Sequence, residues 1–201
     1  TVTLQFSEAV AGFSSDADVT VQNGSLATMT SSDNITWTGT FTPSSDVEDA
    51  TNVMSLATSY TDTAGNAGPS ATTDNYEVDT IRPTVAAFTM SDTALISGET
   101  STVTLQFSEA VASFSSDDDI TVQNGSLATM TSSDNITWTG TFTPTSDVED
   151  ATNVLTLATT YTDTAGNAPA STSVSDNYEI DTIAPTMTIT SSTVSDGSTS
   201  S

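Results

Sequence analysis

The feature that most constrains this chain is that it repeats itself at domain length. Residues 1–66 align with 102–167 without a gap. Only seven positions differ: Gly12/Ser113, Ala17/Asp118, Val19/Ile120, Ser44/Thr145, Met54/Leu155, Ser55/Thr156 and Ser59/Thr160. After a one-residue insertion, Asp74-Asn75-Tyr76-Glu77-Val78-Asp79-Thr80 matches Asp176-Asn177-Tyr178-Glu179-Ile180-Asp181-Thr182. An offset of 101 residues (102 − 1) is the size of a domain. It is too long for a solenoid repeat or a propeller blade.

Each copy reads as a series of short strands. Val103, Leu105 and Phe107 alternate with Thr104 and Gln106; Ile136, Trp138, Gly140 and Phe142 alternate with threonines. A period of two marks a strand with one buried and one wet face, and outward threonine suits a pleated surface. Asn124-Gly125 is a tight-turn signal between two such runs. No stretch carries a 3.6-residue apolar stripe. For the complete copy the pattern predicts strands near 85–90 and 126–131, and at 102–108, 119–123, 135–142, 153–162 and 176–181. Seven strands in about 100 residues fit an all-β, two-sheet immunoglobulin-like sandwich. The antibody hallmarks, a cysteine pair and a tryptophan on the third strand, are absent; Trp138 falls on the fifth.

The pattern sets domain boundaries. Thr1 corresponds to Thr102, so residues 1–80 read as a sandwich lacking its own first strand, and 81–182 as a complete one. Ile183-Ala184-Pro185-Thr186 matches Ile81-Arg82-Pro83-Thr84, so 183–201 reads as the first strand and turn of a following copy. Two explanations fit. The chain is an in-register piece of a longer array, or residues 186–201 insert into the open sandwich of another molecule by donor-strand complementation. A missing strand leaves a groove and unpaired backbone groups. No apolar run of about 20 residues is present, so nothing in this chain is expected to span a membrane, and with no leader visible the chain reads as a piece from the middle of a longer protein.

Composition removes several functions. The chain carries 26 acidic residues against one basic residue, Arg82, for a net charge of −25, and no histidine or cysteine. Phosphate backbones and anionic membranes repel such a surface. Catalysis by Cys or His, a Cys/His metal site and disulfides are excluded. What remains is hard oxygen chemistry, suited to Ca²⁺. High acidity also serves solubility.

In an immunoglobulin-like sandwich the loops gather at two poles. That frame places Glu109, Asp117, Asp118, Asp119, Asp134 and Asp163 with Asn167 at the starting pole of the second copy. It places Asp46, Glu48 and Asp49, on the loop after the fifth strand, at the ending pole of the first. The short connection Asp79-Thr80-Ile81-Arg82-Pro83 runs between. Unpaired, these acids repel; at about 4 Å and an effective dielectric near 20 each pair costs on the order of 4 kcal/mol. A Ca²⁺ ion, with its 6–8 oxygen ligands, converts repulsion into a bridge. The candidate ligands are Asp79, Glu109 and Asp163, then Glu48 and Asp49. Their repeat equivalents are Asp181, Glu8, Asp62, Glu149 and Asp150. Turn capping is the competing explanation for the acid of Asp163-Thr-Ala-Gly-Asn167 and for Asp119. No EF-hand loop is present.

Four motifs in order carry a resemblance: Leu-Gln-Phe-Ser-Glu-Ala-Val (105–111), Asp-Val-Glu-Asp-Ala-Thr-Asn (147–153), Asp-Thr-Ala-Gly-Asn (163–167) and Val-Asp-Thr-Ile-Arg-Pro-Thr (78–84). The chain resembles bacterial Ig-like tandem extender repeats of giant RTX-type adhesins, over essentially its whole length. The resemblance implies long runs of repeats between a cell-surface anchor and distal ligand-binding domains, secreted and folded in external Ca²⁺, with Ca²⁺ at the linkers. On that pattern the linker acid falls on Asp79 and Asp181. The Phe-Ser-Glu acid falls on Glu8 and Glu109, and the Asp-x-Ala-Gly-Asn acid on Asp62 and Asp163. The nonapeptide calcium repeats of such adhesins are absent.

The expected function is therefore a structural spacer, a Ca²⁺-rigidified rod whose partners are neighbouring repeats of the same chain or neighbouring copies head-to-tail. The first alternative is a self-assembling extracellular filament subunit joined through 186–201. The second is a ligand- or ice-binding module using the hydroxyl row Thr137, Thr139 and Thr141, against which a twisted sheet is a poor flat lattice. An enzyme needs paired carboxylates in a cleft, and these acids sit on polar loops.

Overall fold

The structure, a computed structural model, describes residues 1–190. It divides into two compact units. The first comprises Thr1–Thr84 with Glu109–Ser113 and Thr160–Ala170; the second comprises Val85–Ser108, Phe114–Thr159 and the described residues from Ser171.

The second unit is the more complete sandwich. A four-stranded antiparallel sheet runs in the order Val85–Met90, Ser101–Phe107, Thr137–Pro144, Gly125–Leu127. A three-stranded sheet runs Ala94–Ile96, Tyr178–Asp181, Glu149–Asn153, and another runs Ile120–Val122, Leu155–Leu157, Ser173–Val174. Ala94–Ile96 lies parallel to Tyr178–Asp181, with Leu95 opposite Ile180. The alternation seen in the sequence selects the core: Val103, Leu105 and Phe142 are 0% exposed, as are Leu155, Tyr178 and Ile180. Phe142 and Tyr178, from different sheets, meet edge-on at 5.0 Å between ring centres, a favourable aromatic geometry.

The first unit repeats these elements with fewer partners. Val2–Gln5 pairs with Thr36–Gly39, and Tyr76–Asp79 with Glu48–Asn52. Val19–Val21, Met54–Leu56 and Ala71–Thr72 form one sheet. Among the described residues nothing occupies the free edge of Val2–Gln5, whereas its counterpart Ser101–Phe107 carries Val85–Met90 on that side. Val2, Leu4 and Phe6 are consequently only partly buried.

Three local features differ from the sequence expectation. The predicted strand start at Asp119 is instead a one-turn helix, Ser116–Asp119. Asp119 turns back to accept from Ser115 N at 2.9 Å, and Ser116 Oγ accepts from Met130 N at 2.8 Å. Such local side-chain bonds compete with strand extension, which begins only at Ile120. Asn124-Gly125 does not close a hairpin. Ile120–Val122 pairs with Leu155–Leu157 and Gly125–Leu127 with Thr137–Pro144, so the turn crosses between sheets. Asn124 takes φ 48° there, and a Cβ on Gly125 would lie 2.2 Å from the Phe142 ring. Third, of the acids expected on a loop after the fifth strand, Glu48 and Asp49 lie on the strand Glu48–Asn52, as their equivalents do on Glu149–Asn153, while Asp46 stays in the bend before it. Buried Asn153 holds its strand by donating to Asp150 O and Tyr178 O and accepting from Asn124 Nδ2 at 2.7 Å.

Candidate metal centre

Three of the expected ligands meet in the first compact unit. Asp79 ends the strand Tyr76–Asp79, pinned by the residue after it: Thr80 N donates to Val47 O at 2.8 Å and Thr80 Oγ1 to Ser44 O at 2.8 Å. Glu109 stands in the bend between Ser101–Phe107 and Val111–Ala112. Asp163 ends the strand Thr162–Asp163, opposite Val111. One carboxylate oxygen from each of Asp79, Glu109 and Asp163 lies within 4.8 Å of the others. Asp79 belongs to the first sequence copy and the other two to the second.

Asp163 is oriented by its own loop. It is 1% exposed. One oxygen accepts from Gly166 N at 2.7 Å and Asn167 N at 2.8 Å, and the other from Asn167 Nδ2 at 2.8 Å. The loop closes because Gly166 takes φ +99°, a region open to glycine. Asn167 Nδ2 also donates to Asp79 O at 3.2 Å, so the two acids share one anchor. Turn capping is thus present at Asp163: Oδ1 already accepts two hydrogen bonds, and Oδ2, which accepts one, keeps a lone pair for a cation. Glu109 senses its surroundings most. Burial first, then the charges of Asp163, Asp79 and Glu48, push its carboxyl above the usual range. Arg82, the chain's one basic side chain, is exposed and donates to Ala168 O at 3.4 Å.

The other expected ligands lie elsewhere. Glu48 sits across the strand pair from Asp79 and adds to the negative field at Glu109. Asp49, one residue on, faces the opposite side of the strand. It accepts from Thr51 N at 2.9 Å, and less strongly in effect from Asn23 Nδ2 at 2.8 Å, bonds that hold its carboxyl below the usual range. Asp150 repeats that arrangement with Asn124 and Thr152. Glu149 lies opposite Asp181, both exposed. Glu8 is exposed, and Asp62 makes the same turn as Asp163, accepting from Ala64 N and Asn66 N at 2.8 Å. Among the described residues, the group at 79, 109 and 163 is the one that brings three carboxylates together. Sequence reasoning overlooked Asn167 as the residue tying two of them, although its place in Asp-Thr-Ala-Gly-Asn was visible.

The donor set fits a calcium ion. Ca²⁺–oxygen distances of about 2.3–2.6 Å put opposite ligands roughly 4.6–5.2 Å apart, so oxygens within 4.8 Å of one another fit a single shell. All are hard oxygen donors, and no nitrogen or sulfur ligand competes.

Among the described residues no helix is long and apolar enough to cross a membrane. No curated protein matches the chain. The bacterial Ig-like domain family matches it twice in succession, over residues 1–78 and 79–180. With nearly the whole length accounted for in two adjacent copies, on a sandwich fold built from the alternation in its sequence, this chain belongs to the bacterial Ig-like domain family.

Proposed function

We propose that this chain is a stretch of spacer from a secreted bacterial cell-surface adhesin, stiffened by Ca²⁺ and holding distal binding domains away from the cell. The observation that carries this reading is the cluster of Asp79, Glu109 and Asp163, with oxygens within 4.8 Å and drawn from both sequence copies. Three carboxylates so placed repel one another, and a divalent cation reverses the sign of that interaction. Bound there, Ca²⁺ ties the end of the first copy to the loops of the second. Near-identity of the copies supports a structural role, since interchangeable modules suit a repeated scaffold better than a unique site. The family is typically non-catalytic, which favours a structural module over an enzyme.

The test is small-angle scattering on a protein of four or more repeats, in EDTA and in millimolar CaCl₂. Spacer function predicts a longer, narrower distance distribution with Ca²⁺, reversed by chelation. Superimposable curves in the two buffers overturn it.

A further inference from the structure

The turn Asp163-Thr164-Ala165-Gly166-Asn167 closes with backbone donors alone. Gly166 N and Asn167 N both donate to Asp163 Oδ1, at 2.7 and 2.8 Å, and Asp163 N donates to Asn167 O at 3.1 Å. The side chain of Asn167 is free for another task. Its amide nitrogen carries two hydrogens, and both are directed at the candidate metal centre. One goes to Asp163 Oδ2 at 2.8 Å and the other to the main-chain carbonyl of Asp79 at 3.2 Å. A carboxylate and a carbonyl only accept, so the amide must turn its nitrogen, not its oxygen, toward them. Asn167, Asp79 and Asp163 all belong to the first compact unit.

Those two bonds imitate the action of a cation. A cation among Asp79, Glu109 and Asp163 draws acceptor oxygens from separate parts of the chain toward one positive centre. The amide hydrogens of Asn167 are a weaker positive centre reaching two of the same three residues. The spacing also agrees. In a pentagonal-bipyramidal calcium shell, ligands about 2.4 Å from the ion stand roughly 2.8–3.4 Å from their neighbours. Asn167 Nδ2 lies at that range from both oxygens, so an oxygen in its place would enter the same shell.

We infer that Asn167 is a built-in stand-in for the cation, an inference that rests on the calcium reading of this centre. It positions Asp79 and Asp163 while calcium is absent, so the ion meets a formed site. It also sets how strongly the first unit depends on calcium. A carboxylate at this position would turn two donors into acceptors facing Asp163 Oδ2 and Asp79 O, and the latch would become a repulsion. The same carboxylate would add a fourth acid to the three already within 4.8 Å of one another, and calcium affinity rises with the charge of the ligand set. Asparagine therefore favours order without calcium over the tightest binding of it.

Two variants of residues 1–201 separate this role from ordinary loop stability. Asn167→Ala removes both donors and adds no charge. Asn167→Asp removes both donors and adds a charge in the same shape. Differential scanning calorimetry in EDTA should rank the first-unit transition, from highest to lowest, as parent, Asn167→Ala, Asn167→Asp. Isothermal titration with CaCl₂ should then split the variants. Asn167→Ala should bind roughly threefold more weakly, because its acids are no longer held in place. Asn167→Asp should bind roughly fivefold more tightly, because it supplies a further charged oxygen. A residue that only stabilises its loop would move both constants the same way. If Asn167→Asp leaves the first unit unfolded in EDTA, CaCl₂ should restore the parent circular dichroism spectrum. The inference is overturned if Asn167→Ala binds calcium as tightly as the parent, if Asn167→Asp binds it no more tightly than the parent, or if calcium fails to refold an unfolded Asn167→Asp. A parent chain that takes up no calcium refutes the metal centre itself, a failure seen before any substitution is made.

Discussion

Replacing Glu109 with glutamine should have opposite consequences with and without calcium. The three oxygens lie within 4.8 Å of one another. At that separation and an effective dielectric near 20, each pair repels by about 3 kcal/mol. Glu109 is only partly buried, so water and salt reduce this to roughly 1 kcal/mol per pair. Glutamine keeps the shape and removes the two pairs that involve Glu109. In EDTA the first unit should therefore gain about 1–2 kcal/mol, raising its melting temperature by roughly 4–16 °C, since 1 kcal/mol is worth about 4–8 °C in a domain of this size. In CaCl₂ at one hundred times the dissociation constant, the parent chain should gain about 2.7 kcal/mol, or roughly 10–20 °C. The variant, with one charged ligand lost, should gain less than half of that. Differential scanning calorimetry of residues 1–201 in both buffers makes the measurement. The reasoning fails if Glu109→Gln melts below the parent chain in EDTA, or if it retains the full calcium shift.

The repeats supply internal controls for the other expectations. Leu105→Ala should cost about 3–5 kcal/mol, a full core truncation. Leu4→Ala, the same change beside the open edge, should cost about half as much, as judged by urea midpoints of the two transitions. Asn153→Ala removes three hydrogen bonds at a site 1% exposed, taking one acceptor from Asn124 Nδ2, which keeps Asp150, and one donor from each of the Asp150 and Tyr178 carbonyls. A loss of about 3 kcal/mol in chemical denaturation is expected. Asp134 accepts from Thr137 N, Ile136 N and Ser132 Oγ, in that order of effect, and its carboxyl lies below the usual range. A depressed carboxylate stabilises the fold above its unfolded-state value, about 3.9, and that contribution disappears as pH falls through the folded-state value. Asp134→Asn keeps the acceptor without the charge, so its stability should fall less steeply below about pH 4.

The sandwich was legible because threonine alternates with apolar residues over whole strands, as at 102–107 and 137–142, and burial follows that alternation along 102–107 and from Trp138 to Phe142. What escaped was decided by contacts distant in sequence. Ala94–Ile96 is three residues long and has no period of its own; its partner, Tyr178–Asp181, lies more than 80 residues away. Glu48–Asn52 carries the acids of a loop and becomes a strand through bonds from Asn52 to Asp49 O and Tyr76 O. The cluster at 79, 109 and 163 could be anticipated because loop polarity in a sandwich follows from strand count. Which way Asp49 points could not, because that depends on which face of its strand meets Asn23.

The parallel pairing of Ala94–Ile96 with Tyr178–Asp181 has a mechanical consequence. One strand lies near the entry of the second unit and the other at its exit. In a parallel pair, tension applied at those two points pulls the strands lengthwise past each other. The three registered pairs from Ala94 to Ile96 are then loaded together, in shear, instead of being opened one at a time.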